Sequence, residues 1–161
     1  MTANELERRV RAAWTGIAAP PAEDMKHMEW GWGEEAARAF VRVAPIEVDI
    51  QSPGFRAATP LFDLPPRAAA AYLGTYLLSL LQSLQFQETD GLFYDIVTRA
   101  HIITCMTDSL FWQQVVRGQL PPSCQQVVAD VARFMAAREE ALALESEQVQ
   151  TLIELAAGSN S

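Results

Sequence analysis

His101, Cys105 and Asp108 are the residues whose types and spacing could do chemistry. At i, i+4 and i+7 they would lie along one face of a helix, each within reach of the next. A thiol beside an imidazole can act as nucleophile and base, and the same donor types can hold a metal ion. Against that chemistry, Ala100 and Ile102 set apolar neighbours beside the triplet, threonines flank it, and the sequence offers no oxyanion donor. The expected role of the three is packing, so no catalytic residue, metal ligand or cofactor-binding residue is assigned.

The other titratable groups add little. His27 is the only other histidine. No H-E-x-x-H, nucleophile elbow, P-loop or dinucleotide fingerprint occurs, and the pair Gly31 and Gly33 lacks a third glycine and a preceding strand. Asp63, Asp90, Asp95 and Asp108 could be gathered by folding into a metal-binding cleft, yet each also reads as a helix cap or a solvated helix position. The chain is therefore expected not to be an enzyme, with metal-dependent or Cys-His catalysis as the enzymatic alternative.

Residues 28–35, Met-Glu-Trp-Gly-Trp-Gly-Glu-Glu, set two tryptophans among three carboxylates. Aromatic side chains ringed by charge anchor protein interfaces. A tryptophan pair beneath a long loop can equally pin that loop to the core. Glu29, Trp30, Trp32, Glu34 and Glu35 are the expected partner-binding residues, and Glu139 and Glu140 of an acidic run at 139–147 form a second candidate surface.

These residues need elements to position them. Thr2-Ala3-Asn4-Glu5 has the form of a capping box, and Leu6, Val10, Ala13, Trp14 and Ile17 follow at helical spacing, which predicts a helix over about 3–17. Prolines at 20, 21, 45 and 53 make 20–60 a long irregular region with one helix near 33–41. Within it Ile46, Val48 and Ile50 alternate with polar residues and read as extended chain packed across helices.

Asp63-Leu64-Pro65-Pro66 reads as the cap and first turn of a central helix reaching about residue 84, along which Leu73, Tyr76, Leu77, Leu80, Leu81 and Leu84 recur at three and four residues. Thr89-Asp90-Gly91 caps a further helical stretch to Gly118, with a kink expected at 104–108. Leu120-Pro121-Pro122 opens another amphipathic helix, which either continues or breaks near Ser146. The predicted fold class is all-α, a single domain over 1–158 with four to six helices and a frayed tail at 159–161. Its expected core holds Leu73, Leu77, Leu80, Val97, Ile103, Val128, Val131 and Phe134.

Composition narrows the partners. A chain of 161 residues suits one hydrophobic core, and half of it is apolar. Its formal charge of −8 disfavours nucleic acid, whose binding needs Lys and Arg against phosphates, and suits a cationic partner. The same charge also serves solubility. Residues 68–87 carry no charge and are long enough to span a bilayer, but Tyr72, Thr75, Tyr76, Ser79, Gln82 and Ser83 interrupt them with polar groups, so a buried helix is expected and no membrane. Charges in the first eleven residues leave no room for a secretion signal, and Cys105 and Cys124 form no C-x-x-C pair; a cytoplasmic protein with reduced thiols is expected.

Residues 61–68, Leu-Phe-Asp-Leu-Pro-Pro-Arg-Ala, lead into Tyr72-Leu73-Gly74-Thr75-Tyr76-Leu77-Leu78, and a Leu-Pro-Pro-x-x-x-Gln helix follows late in the chain. In this order the chain resembles a family of small uncharacterised bacterial helical proteins, in which a Phe-Leu-x-x-Glu-Ala start leads into a Tyr-Leu-Pro-x-Tyr-Leu core helix. Gly74 stands where that pattern has proline, and Arg67-Ala68 where it has an acidic start. The resemblance implies a helical fold and a bacterial setting, and it brings no catalytic residues.

Taken with the acidic charge and the Trp-containing acidic loop, these features point to a protein that binds another protein. The most concrete form is an acidic immunity protein neutralising a basic toxin domain. An adaptor, a chaperone for secreted substrates or a regulatory subunit answers to the same description.

Overall fold

The Thr2 hydroxyl accepts the Glu5 amide at 3.1 Å and the Glu5 carboxylate accepts the Thr2 amide at 2.7 Å. This reciprocal pair satisfies two orphan donors and starts α1 (Ala3–Trp14), which buries Leu6, Val10 and Trp14 along one stripe. The computed structural model describes residues 1–85 and 92–158, except for the side chains of His27, Glu29, Trp30 and residues 92–95. The expected caps at Thr89 and Asp90 and the tail at 159–161 lie outside the described residues.

The region from 20 to 60 is less irregular than its prolines suggest. It contains a 3-10 turn at Ala22–Met25, then α2 (Lys26–Gly31), α3 (Glu34–Phe40), a second 3-10 turn at Pro45–Glu47, and α4 (Pro53–Arg56). Pro45 and Pro53 occupy first-turn positions, where the missing amide hydrogen costs nothing, so they open short helices as well as interrupt longer ones. Helices therefore outnumber the four to six expected. Among the described residues there is no strand, and Ile46, Val48 and Ile50 lie in and beyond the second 3-10 turn with Val48 buried.

What holds this region in place comes from the next helix, α5 (Pro66–Gln85). The Tyr72 hydroxyl donates to the Phe40 carbonyl at 2.6 Å and lies 3.0 Å from that of Val43. Thr75 donates to Pro45 at 2.8 Å, and Tyr76 donates to Ala58 at 3.0 Å. Carbonyls that would otherwise need a strand partner are thus satisfied by hydroxyls. Three of the polar interruptions of this apolar helix, Tyr72, Thr75 and Tyr76, bind the 40–58 segment to it. Among the described residues no helix is long and apolar enough to cross a membrane. The helix starts at Pro66, so Asp63 sits in the preceding turn, its amide donating to Pro60 at 2.8 Å, and does not occupy the expected cap position.

After α6 (Leu92–Met106), Asp108 accepts the Phe111 amide at 2.8 Å and starts the short α7 (Ser109–Phe111), placing a helix break where a kink was expected. A π-helical turn, Trp112–Arg117, continues it. Then come α8 (Pro122–Ala136) and α9 (Ser146–Ala157), so the late helix breaks before Ser146 and resumes. The buried residues form one connected core, with α1 packed on both α5 and α8, α6 on α5, and α9 on α8. Leu73, Leu77, Leu80, Val128, Val131 and Phe134 are buried as expected.

Val97 and Ile103 are only half-buried, which corrects the expected core of α6; Ile96 on the same helix and Leu110 on α7 are exposed. That helix turns Thr98, His101, Ile102, Cys105 and Met106 inward. Its apolar residues are distributed around the whole circumference, so apolarity alone does not choose the buried face.

Candidate functional site

His101, Cys105 and Asp108 do not assemble into a reactive set. The Leu61 amide donates to His101 Nε2 at 3.3 Å, so the imidazole spends its acceptor on a loop backbone. Burial lowers its pKa to about 4, with Asp63 acting in the opposite sense. Burial drives the Cys105 thiol far above its ordinary range, and Asp108 adds to the shift, so the thiol is held as a poor nucleophile. The Asp108 carboxylate is committed to the α7 cap. Tyr76 packs edge-on against the His101 ring, with centroids 5.5 Å apart, and keeps the group dry. Cys124 is also buried, its thiol donating to the Ala13 carbonyl at 3.3 Å.

Of the four aspartates that could converge, Asp90 and the Asp95 side chain lie outside the described residues. Asp63 and Asp108 are accounted for above, and among the described residues no three His, Cys, Asp or Glu side chains gather to hold a metal ion. One carboxylate carries a perturbation the sequence did not single out. Asp24 is buried and takes two hydrogen bonds from Arg67, at 2.5 and 2.7 Å, which hold its pKa below the usual carboxylate range despite burial. This fork ties the first 3-10 turn to the start of α5 and is a structural pair.

The expected partner-binding residues divide in three. The side chains of Glu29 and Trp30 lie outside the described ones. Trp32 is half-buried and packs on the core, which ties the start of α3 down. Glu34 and Glu35 are exposed on α3, and Glu34 sits 3.8 Å from Arg38 one turn later. Glu139 and Glu140 are exposed at the corner between α8 and α9, close in sequence to Glu145 and Glu147, which are exposed too.

Sequence reasoning missed where Glu35 leads. It lines an open groove of about 390 Å³ between α3, the segment 43–49 and the start of α4, a volume toward the lower end of ligand-sized clefts. Ala39, Val43, Pro53 and Gly54 contribute apolar surface, and Glu47 and Asp49 bring two more exposed carboxylates to the rim. Two backbone features shape it. Arg42 adopts a left-handed conformation, φ 65°, in the turn that the Val43 amide closes on the Phe40 carbonyl at 3.1 Å. Gly54 lies so close beneath α3 that a Cβ would fall 2.2 Å from the Glu35 carbonyl oxygen. The sequence signal for the groove was faint: Glu47 and Asp49 read only as the polar half of an alternation.

No family model, curated protein or solved structure matches this chain. The chemistry of its surface is read from its own geometry.

Proposed function

We propose that this protein acts by binding another protein and not by catalysis, in the form of an acidic immunity protein that neutralises a basic toxin domain in the bacterial cytoplasm. The observation that carries the reading is the collection of exposed Glu35, Glu47 and Asp49 around one largely apolar groove, with Glu34 exposed beside Glu35 on α3. An apolar depression with a charged rim is the usual anatomy of a protein interface, and carboxylates gathered there steer a cationic partner and raise its association rate. The net charge of −8 acts in the same sense at long range. The acidic corner at Glu139 and Glu140 is the second contact surface.

Co-expression tests the reading. Each open reading frame flanking the gene that encodes a toxin domain is expressed with and without this protein, and growth rescue and co-purification are measured. Rescue together with a complex weakened by added salt is the expected result. A toxin that kills equally well in the presence of this protein, with no complex isolated, refutes it. A stable complex without protection would assign the protein as an adaptor, chaperone or regulatory subunit.

A further inference from the structure

We infer that the groove beside α3 is a receptor for a single arginine side chain presented by the protein partner. The inference rests on the protein-binding reading above and specifies the chemistry of its contact.

The groove has a lining of two characters. Ala39, Val43, Pro53 and Gly54 give it apolar surface, and Glu35, Glu47 and Asp49, all exposed, bring carboxylates. Among the described residues Arg38 is the one cation lining it, and Arg38 already faces Glu34 along its own helix at 3.8 Å. Three carboxylates against one guanidinium leave the cleft electronegative. An occupant must therefore combine an apolar stem with a terminal cation, as Arg and Lys side chains do.

Between these two the groove favours arginine. Its mouth is wide and its carboxylates come from separate elements, Glu35 from a helix and Glu47 and Asp49 from a turn. A planar guanidinium with five donors can reach more than one of them at once, whereas an ammonium is a compact and more strongly hydrated charge that loses more on leaving water. The receptor is also held in shape before anything binds. Asp49 Oδ1 accepts the Gln51 amide at 2.9 Å, and the Ser52 hydroxyl donates to the Asp49 carbonyl at 2.7 Å. Tyr72 and Thr75 fix Val43 and Pro45 from below. Little loop entropy is left to lose on contact.

The probe is a capped Gly-Arg-Gly tripeptide titrated into the full-length protein while amide chemical shifts are followed by NMR. Shifts concentrated at residues 35–39, 43–49 and 52–54 are expected, and the isosteric citrulline peptide should leave them unmoved. The triple change Glu35→Gln, Glu47→Gln, Asp49→Asn, all at exposed positions, should weaken binding at least fivefold while leaving the circular dichroism spectrum unchanged. Shifts that are absent, scattered over the surface or reproduced by the citrulline peptide overturn the inference. Failure here leaves the co-expression result standing. Conversely, absence of a toxin complex leaves a measured guanidinium site intact, so the two failures are distinguishable.

Discussion

Gly74 lies against the indole of Trp14, so closely that a Cβ at residue 74 would sit 2.5 Å from the ring carbons. The indole is fully buried, and its Nε1 donates to the Ala70 carbonyl at 3.3 Å. Alanine in mid-helix is worth about 1 kcal/mol over glycine, but here it would force a wedged ring to move. Gly74→Ala should therefore destabilise by about 1–3 kcal/mol, as overpacking does, measured by urea denaturation. In a Trp14→Phe background, where the ring is smaller, the same change should cost less. A stabilising Gly74→Ala would show that the indole does not occupy this position.

Tyr72 and Thr75 link α5 to the segment that forms one wall of the groove. Removing the Tyr72 hydroxyl takes one hydrogen bond from the Phe40 carbonyl, which keeps the Val43 amide at 3.1 Å, and such a bond is worth roughly 0.5–1.5 kcal/mol. Tyr72→Phe should show that loss. Hydrogen exchange locates the effect: amides of residues 40–48 should exchange faster while those of α8 and α9 keep their protection. A uniform change across the molecule would mean that the hydroxyl stabilises the whole fold and not this segment in particular.

How much of this was legible beforehand depended on whether local chemistry or tertiary contact decided the outcome. The capping box at Thr2 and Glu5 formed as read, because both partners lie within one turn. The heptad-like leucines of α5 found the core for the same reason. The short elements around Pro45 are not legible locally, since the donors for the Phe40 and Pro45 carbonyls sit on α5, some thirty residues away. Likewise α6 offered apolar residues on every side, and its buried face is set by a bond from Leu61 to His101 across 40 residues. The groove was invisible because Glu35, Glu47 and Asp49 become neighbours only when the chain turns at Arg42 and Gly54 packs under α3.

Both cysteines are buried, and their thiols are pushed upward by burial first, with Asp108 adding to the effect at Cys105 and a Ser123 hydrogen bond opposing it at Cys124. A thiol of this kind presents no thiolate to an electrophile. The native protein should leave both unlabelled by a disulfide reagent at neutral pH, and denaturant should release two equivalents. Rapid labelling of Cys105 in the native state would reinstate it as a candidate nucleophile.

His101 gives the fold a defined response to acid. Its ordinary pKa is near 6.5, and burial lowers it to about 4 in the folded protein, with Asp63 opposing the shift. Between those values the unfolded chain binds a proton that the folded chain does not, so stability must fall as pH is lowered from about 6.5 to about 4 and is unaffected by this group above that range. The full loss from this one residue is of the order of 3 kcal/mol. Its physical origin is plain: a protonated Nε2 could not accept the Leu61 amide, and the buried cation would lie among apolar and aromatic neighbours. At still lower pH a second loss follows, because Asp24 and Glu7 titrate below their ordinary values. Arg67 hydrogen bonds lower Asp24; at Glu7 burial acts upward and is outweighed by bonds from Gln82, Gln85 and Arg11. Denaturation curves collected at successive pH values would separate the two phases. His101→Gln keeps a hydrogen-bond acceptor but has no proton to exchange, so its stability should be flat between about 6.5 and 5, above the range in which Glu7 and Asp24 begin to take up protons, even if it is lower than wild type throughout. A wild-type slope that survives this substitution would assign the titration to another group and refute a neutral, buried His101.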